Sequence, residues 1–171
     1  MTKRRIMVSA CLLGSRCRYD GTAKLHPEVT GLDREEFELI PVCPECLGGL
    51  PIPRLPAEIE NGDGARVLAG MAQVRNRQGD DYTPQFCAGA RQALELYRER
   101  RPELVVFKAN SPSCGVGRIY DGSFSRQLCP GDGVTAALLR DHGAVLATEQ
   151  DFLSVLEGRA GGNPKISKRK L

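Results

Sequence analysis

Three short apolar runs in this chain each end in a turn that carries a cysteine, and this recurrence constrains the fold more than any other feature. Leu104-Val-Val-Phe107 is apolar and rich in β-branched residues, the pattern of a buried strand. It runs into Lys108-Ala-Asn-Ser-Pro-Ser-Cys-Gly115, whose Asn, Ser, Pro and Gly break a strand and expose small polar groups and backbone N–H. Ile6-Met-Val8 leads in the same way to Ser9-Ala-Cys11, and Phe37-Glu-Leu-Ile40 leads to Cys43-Pro-Glu45. Cys11, Cys43 and Cys114 thus follow the C-terminal ends of three predicted strands. In open α/β sheets the ligand crevice lies outside those ends, so parallel strands would let the three thiols meet.

The rest of the chain fits one α/β domain with a mostly parallel, Rossmann-like sheet flanked by helices and a site at the C-terminal strand ends. A length of 171 residues with 41% hydrophobic content suffices for one ordinary core. The first strand is expected over Arg5–Ala10 and the second over Phe37–Val42, where Glu38 implies that one face is open. Residues 47–56 are dense in Gly and Pro, which predicts a shaped loop. Ala65–Arg77 reads as a hairpin about Gly70-Met71. Thr83-Pro84 reads as an N-cap and first turn of a helix with Phe86, Ala90, Ala93, Leu94 and Tyr97 on one face. Ile119–Gly122 reads as a short strand entering a turn, and Gly131-Asp-Gly133 precedes a helix over Val134–Arg140 with Gly143 at its C-cap. Ala144–Ala147 is the expected last strand, and Thr148–Asp151 opens a final helix through Leu156. Residues 1–157 are therefore read as the domain, and 158–171 as a flexible tail bearing Lys165, Lys168, Arg169 and Lys170.

A formal net charge of +3 is small, and outside the tail the basic residues are not gathered in one stretch. The apolar run after Met1–Arg5 is too short for a signal-peptide core or a membrane span, so a cytoplasmic protein with no membrane role is expected. In a reducing compartment seven cysteines argue for metal binding or catalysis instead of disulfides. Electron-carrying iron-sulfur proteins supply four thiolates, several in one compact run, and this chain has no such run. Three separated thiolates would instead hold three irons of a cubane and leave the fourth open, as a catalytic metal site requires. Glu45, two residues past Cys43, and Ser111, three before Cys114, are placed to face that iron as proton carrier and substrate ligand.

Competing readings remain at several residues. Cys43-Pro-Glu-Cys46 could be half of a zinc site, and with the basic tail would make a zinc-binding module that holds RNA. Cys17 could be a second ligand or none, Cys87 a small buried hydrophobe in its helix, and Cys129 has no evident companion. His26 reads as a surface residue and His142 as a charge partner at a helix end. Asp20, Asp63 and Asp121 each precede glycine and read as turn residues.

Ser9–Gly14, Cys17-Arg-Tyr-Asp-Gly21, Val42–Glu45 with Gly48-Gly-Leu50 and Pro53-Arg54, and Phe107–Gly115 with Ile119–Gly122 together resemble the thiouracil desulfidase family. The resemblance runs from the first strand through the helix after Gly133, most of the chain. It implies a [4Fe-4S] cluster on Cys11, Cys43 and Cys114, with Cys46 as the other candidate in its pair. It assigns Glu45 and Ser111 to acid-base and substrate handling. The implied reaction is the non-redox conversion of a thiolated uracil, such as 2-thiouracil, to uracil and sulfide, the sulfur being taken by the iron without a protein ligand. A small thiolated pyrimidine is the expected partner; thiolated nucleotides in tRNA are the alternative, and nucleic acid is not favoured.

Overall fold

The computed structural model describes residues 2–160. β1 (Arg4–Ser9), β2 (Phe37–Val42), β5 (Leu104–Phe107) and β8 (Leu146–Thr148) form one sheet in the order β2-β1-β5-β8. All three pairings are parallel, with Ile6 opposite Leu39 and Leu104, and Val106 opposite Ala147. Both faces are covered. Ile6, Val8, Leu104 and Val106 join Phe37, Phe152 and Leu156 in one core. Met7, Val105 and Phe107 point the other way, toward Ala93, Leu94, Ala136 and Leu139. A strand buried on both faces must be apolar at successive positions, which is why β1 and β5 carry unbroken hydrophobic runs. Each fully buried Leu or Phe contributes about 1.5–3 kcal/mol to that packing. β2 lies at the edge, and there its exposed Pro41 costs no sheet hydrogen bond to a further strand.

The helices in chain order are α1 (Pro27–Thr30), α2 (Pro44–Leu47), α3 (Gly64–Leu68), α4 (Thr83–Arg100), α5 (Val134–Asp141) and α6 (Phe152–Ala160). Of these, α4 packs on both α5 and α2. The α2 contact is made backbone to backbone. A Cβ on Gly89 would lie 1.9 Å from the Pro44 carbonyl oxygen, and one on Gly48 would lie 2.0 Å from that of Gln85. Only glycines allow this approach, and it fixes where α2 and the residues at its start can sit.

Two small antiparallel pairs, β3 (Ala57–Glu60) with β4 (Gln73–Asn76) and β6 (Arg118–Tyr120) with β7 (Leu128–Pro130), complete the fold. They close a third core that holds Ile59, Val67, Val74, Phe86 and Ile119. Here the hairpin expected over Ala65–Ala69 and Ala72–Arg75 is corrected. Residues 64–68 are helix α3, because Asp63 caps them by accepting from Arg66 N at 3.1 Å and Ala, Arg and Leu favour helix. β4 pairs with β3, a strand that its two glutamates had hidden. Asp63 is accordingly a helix cap and not a plain turn residue.

Other boundaries move by less. β1 starts and ends one residue earlier than expected, and β8 is displaced toward Thr148. Thr83 is the first residue of α4 and not its cap; its hydroxyl accepts from Val74 N at 2.9 Å, while Asp81 accepts from Thr83 N at 2.9 Å. His142, not Gly143, takes the C-cap of α5, and Gly143 follows in the left-handed region at φ 84°. α6 continues to Ala160, so residues 158–160 are helical, and the basic residues of the expected tail lie outside the described residues. Among the described residues no helix is long and apolar enough to cross a membrane.

Candidate active site at the strand ends

Each of the three strand ends delivers its cysteine by a different local device. β1 passes into a 3-10 turn over Ala10–Leu13, which contains Cys11. β2 ends at Val42 and Cys43 follows as the N-cap of α2, so the thiol is held where chain direction changes. β5 enters a loop folded around Ser111, whose Oγ accepts from Ser113 N at 3.2 Å and from Cys114 N at 3.1 Å. That loop is docked on the start of α5: Val134 N donates to Pro112 O at 2.8 Å and Thr135 N to Ser113 O at 2.9 Å. Free N–H groups of a helix N-terminus need such acceptors, and Gly133 has no Cβ to hold the two apart. At the head of the loop the buried carboxylate of Glu149 accepts from Ala109 N at 2.8 Å and pairs with Lys108 Nζ at 3.0 Å. The loop is thereby tied to β8.

These ends open on one cleft of about 600 Å³ lined by Cys11, Cys17, Cys43, Cys114, Glu45 and Ser111 among others. All five residues singled out as site residues are therefore brought together, along with Cys17, which the sequence leaves open as a ligand or none. Cys17 lines the same cleft, and the neighbouring Cys11 thiol pushes the Cys17 thiol above its ordinary value. Cys46 is not among the lining residues, although its Sγ and that of Cys43 both donate to the Cys17 carbonyl at 3.9 Å. Cys87 and Cys129 sit apart, packed on the third core. All seven cysteines are free thiols.

Cys43, Cys114 and the nearby Cys46 are poorly suited to act alone as nucleophiles. The hydrogen bond with Cys17, and then burial, pushes the Cys43 thiol far above its ordinary value. Burial pushes Cys114 up to about 12, and burial pushes Cys46 up to about 11. Such groups keep their protons at neutral pH, so they are inert unless a metal cation displaces the proton and supplies the missing charge. Among the described residues no three His, Cys, Asp or Glu side chains converge tightly enough for a single metal ion. A zinc ion would need all its sulfurs at about 2.3 Å, whereas a cubane places each thiolate on its own iron and asks for wider separation.

Beside the thiols stands a polar chain. Glu45 Oε2 accepts from Arg54 Nε at 2.7 Å and is 2.6 Å from its Nη2. The other oxygen, Oε1, accepts from Ser113 Oγ at 3.1 Å. Ser113 Oγ is in turn 3.0 Å from Ser111 Oγ and 3.6 Å from Cys114 Sγ. Glu45 and Ser111, chosen by their spacing from cysteines, are thus joined through a hydroxyl that sequence reasoning missed. Arg54 was noticed only as part of a motif. The one signal in its favour was a charged residue inside a Pro- and Gly-dense loop.

The turn residues behave as expected at Asp20 and Asp121, which accept from Thr22 N at 3.0 Å and Ser123 N at 2.9 Å. His142 Nδ1 is 2.9 Å from Leu138 O at the end of α5. His26 is corrected: it is half-buried, with its ring edge-on to Phe152 at 6.4 Å.

Comparison with known proteins decides the family. Residues 6–151 match the family model described as 2-thiouracil desulfurase. The chain belongs to the 2-thiouracil desulfurase family. A Bacillus subtilis (strain 168) protein, Uncharacterized protein YbbK, is 41% identical over 151 residues, covering 88% of this chain and 99% of that protein. A solved structure, the [4Fe-4S]-dependent thiouracil desulfidase TudS, aligns with a TM-score of 0.80 and 38% identity over 92% of this chain and 99% of that one. The α/β fold and the family resemblance carried by the cysteine turns are both borne out by these matches.

Proposed function

We propose that this chain is a thiouracil desulfidase dependent on a [4Fe-4S] cluster, which Cys11, Cys43 and Cys114 would hold, and that it turns a thiolated uracil into uracil and sulfide. The observation that carries the reading is the meeting of cysteines from three strand ends with Glu45 and Ser111 in one cleft. The donor set fits the group, because thiols in a buried cleft are held as thiolates by the charge of a metal centre. Between the two thiols of the Cys43–Cys46 pair, the lining of the cleft favours Cys43. When bound, the cluster supplies an iron without a protein ligand, a soft Lewis acid for the substrate's sulfur.

The protein residues manage water and protons. In the overall change the C–S bond breaks, a water oxygen takes its place, and the sulfur leaves as sulfide with the protons of that water. No electrons are exchanged. Glu45 lines the cleft and takes a proton from the attacking water through Oε1, the oxygen that Arg54 leaves to the Ser113 hydroxyl. Ser111 sits at the start of the turn that holds Cys114 and orients the pyrimidine by its hydroxyl. The cytoplasm is the matching compartment, since it keeps seven thiols free.

The test is anaerobic reconstitution with iron and sulfide, then assay of uracil and sulfide after addition of 2-thiouracil. A brown protein that releases one sulfide per uracil is expected. A colourless protein that retains zinc would overturn the reading.

A further inference from the structure

We infer that Arg54 is the positioning residue for Glu45, fixing which carboxylate oxygen faces the cleft. The inference rests on the desulfidase reading above and deepens it. The Arg54 side chain is only 3% exposed and that of Glu45 16%, so this ion pair is largely out of water. A buried pair of this kind gains little stability over apolar residues of similar size, which shifts the explanation from stability to placement.

The geometry supports placement. Two nitrogens of the guanidinium, Nε and Nη2, converge on the same oxygen, Oε2, and leave Oε1 to Ser113 and the cleft. The guanidinium cannot swing away, because Nη2 also donates to Cys17 O at 3.0 Å and Nη1 to Pro51 O at 3.2 Å. The Arg54 backbone N–H donates to Tyr19 O at 2.7 Å, so the same residue holds the loop beside the cleft. Free rotation about the last side-chain torsion of a glutamate would exchange its two oxygens. Arg54 prevents that exchange. A lysine would keep the charge but lack the planar fork that selects one oxygen.

The experiment compares wild type, Arg54→Lys, Glu45→Gln and the double variant, each full length and reconstituted. Iron and sulfide content, kcat and KM for 2-thiouracil are measured for all four. Arg54→Lys is expected to hold wild-type iron and to lose about 10–100-fold in kcat, as for other residues that orient a site, with KM little changed. In the Glu45→Gln background the same change is expected to cost less than about two-fold, because a residue that acts through Glu45 has nothing left to orient. Wild-type kcat in Arg54→Lys would overturn the inference. So would loss of iron from that variant, or a double variant in which the two defects multiply, since either means a role independent of Glu45. A wild-type protein that carries the cluster and releases no sulfide would instead overturn the desulfidase reading and this inference with it.

Discussion

The two ends of the parallel sheet carry comparable numbers of charged side chains and treat them in opposite ways. At the N-terminal end Arg4 pairs with Glu36 and Glu103, and Glu38 pairs with both Arg5 and Arg100. These groups stay in contact with water; Arg5 is 42% exposed and Glu38 36%. Exposed pairs of this sort are worth about 0–1 kcal/mol each. At the C-terminal end the Glu45–Arg54 pair is withdrawn from water, with Arg54 only 3% exposed, beside a Cys114 thiol that burial pushes up. Desolvation there costs several kcal/mol per ion before any attraction is counted. The same strands therefore end in a hydrated rim on one side and in a desolvated polar pocket on the other. The Glu45–Arg54 pair in that pocket is the one with little explanation in stability.

If that contrast reflects function, damage at the C-terminal end should fall on chemistry first. Cys114→Ala removes the thiol that the Ser111 loop exists to present. Its expected result is loss of bound iron together with sulfide release at background level, read by iron analysis and the visible spectrum. Full activity in that variant would remove the cluster assignment altogether. Glu45→Gln is next in size. It leaves the three thiols in place, so iron should be retained while kcat falls by about 10²–10⁴-fold, the range for a lost general base. Retained turnover would show that Glu45 serves Arg54 and not the reaction.

Gly89→Ala attacks the same end from a distance. The added methyl would meet the Pro44 carbonyl oxygen, which is backbone and cannot rotate away. Helix α2 must then shift on α4, and Cys43 and Glu45 with it. A loss of about 1–3 kcal/mol in unfolding free energy is expected from overpacking, together with reduced iron content. Thermal or denaturant unfolding of the metal-free protein separates the two effects. An unchanged iron content would mean that α2 tolerates displacement and that the cleft is less rigid than its packing suggests.

How much of this was legible beforehand depended on the range of the interactions involved. The parallel sheet and its cysteine turns could be read because β5 states its burial in four consecutive apolar residues and the turn residues follow directly. The β3–β4 pair could not, because Ala57-Glu-Ile-Glu60 has only one strongly apolar residue, and its burial comes from contacts with α3 and α4. Cys17 follows no predicted strand, so the sequence leaves it open as a second ligand or none; it reaches the cleft through the chain that follows β1. Arg54 and Ser113 depend on tertiary closure: Arg54 returns nine residues along the chain to Glu45, and Ser113 meets Glu45 across 68 residues. Spacing in a sequence announces a ligand near a turn, but it carries no signal for the partner that orients that ligand.

The smallest expected effect lies at the other end of the sheet and tests the contrast from its quiet side. Glu38→Ala deprives Arg5 and Arg100 of their shared carboxylate, yet both guanidinium groups remain exposed enough for water to replace it. Unfolding free energy should fall by less than about 1 kcal/mol, and the loss should shrink further in high salt, where exposed charges are screened. Iron content and kcat should equal wild type, because the core packing of the strands that lead to the cleft, among Ile6, Val8, Leu104, Val106 and Phe37, is untouched. A Glu38→Ala protein with weakened iron binding would mean that the two ends of the sheet are mechanically coupled. The hydrated rim would then set the geometry of the pocket, and the division drawn between the ends would fail.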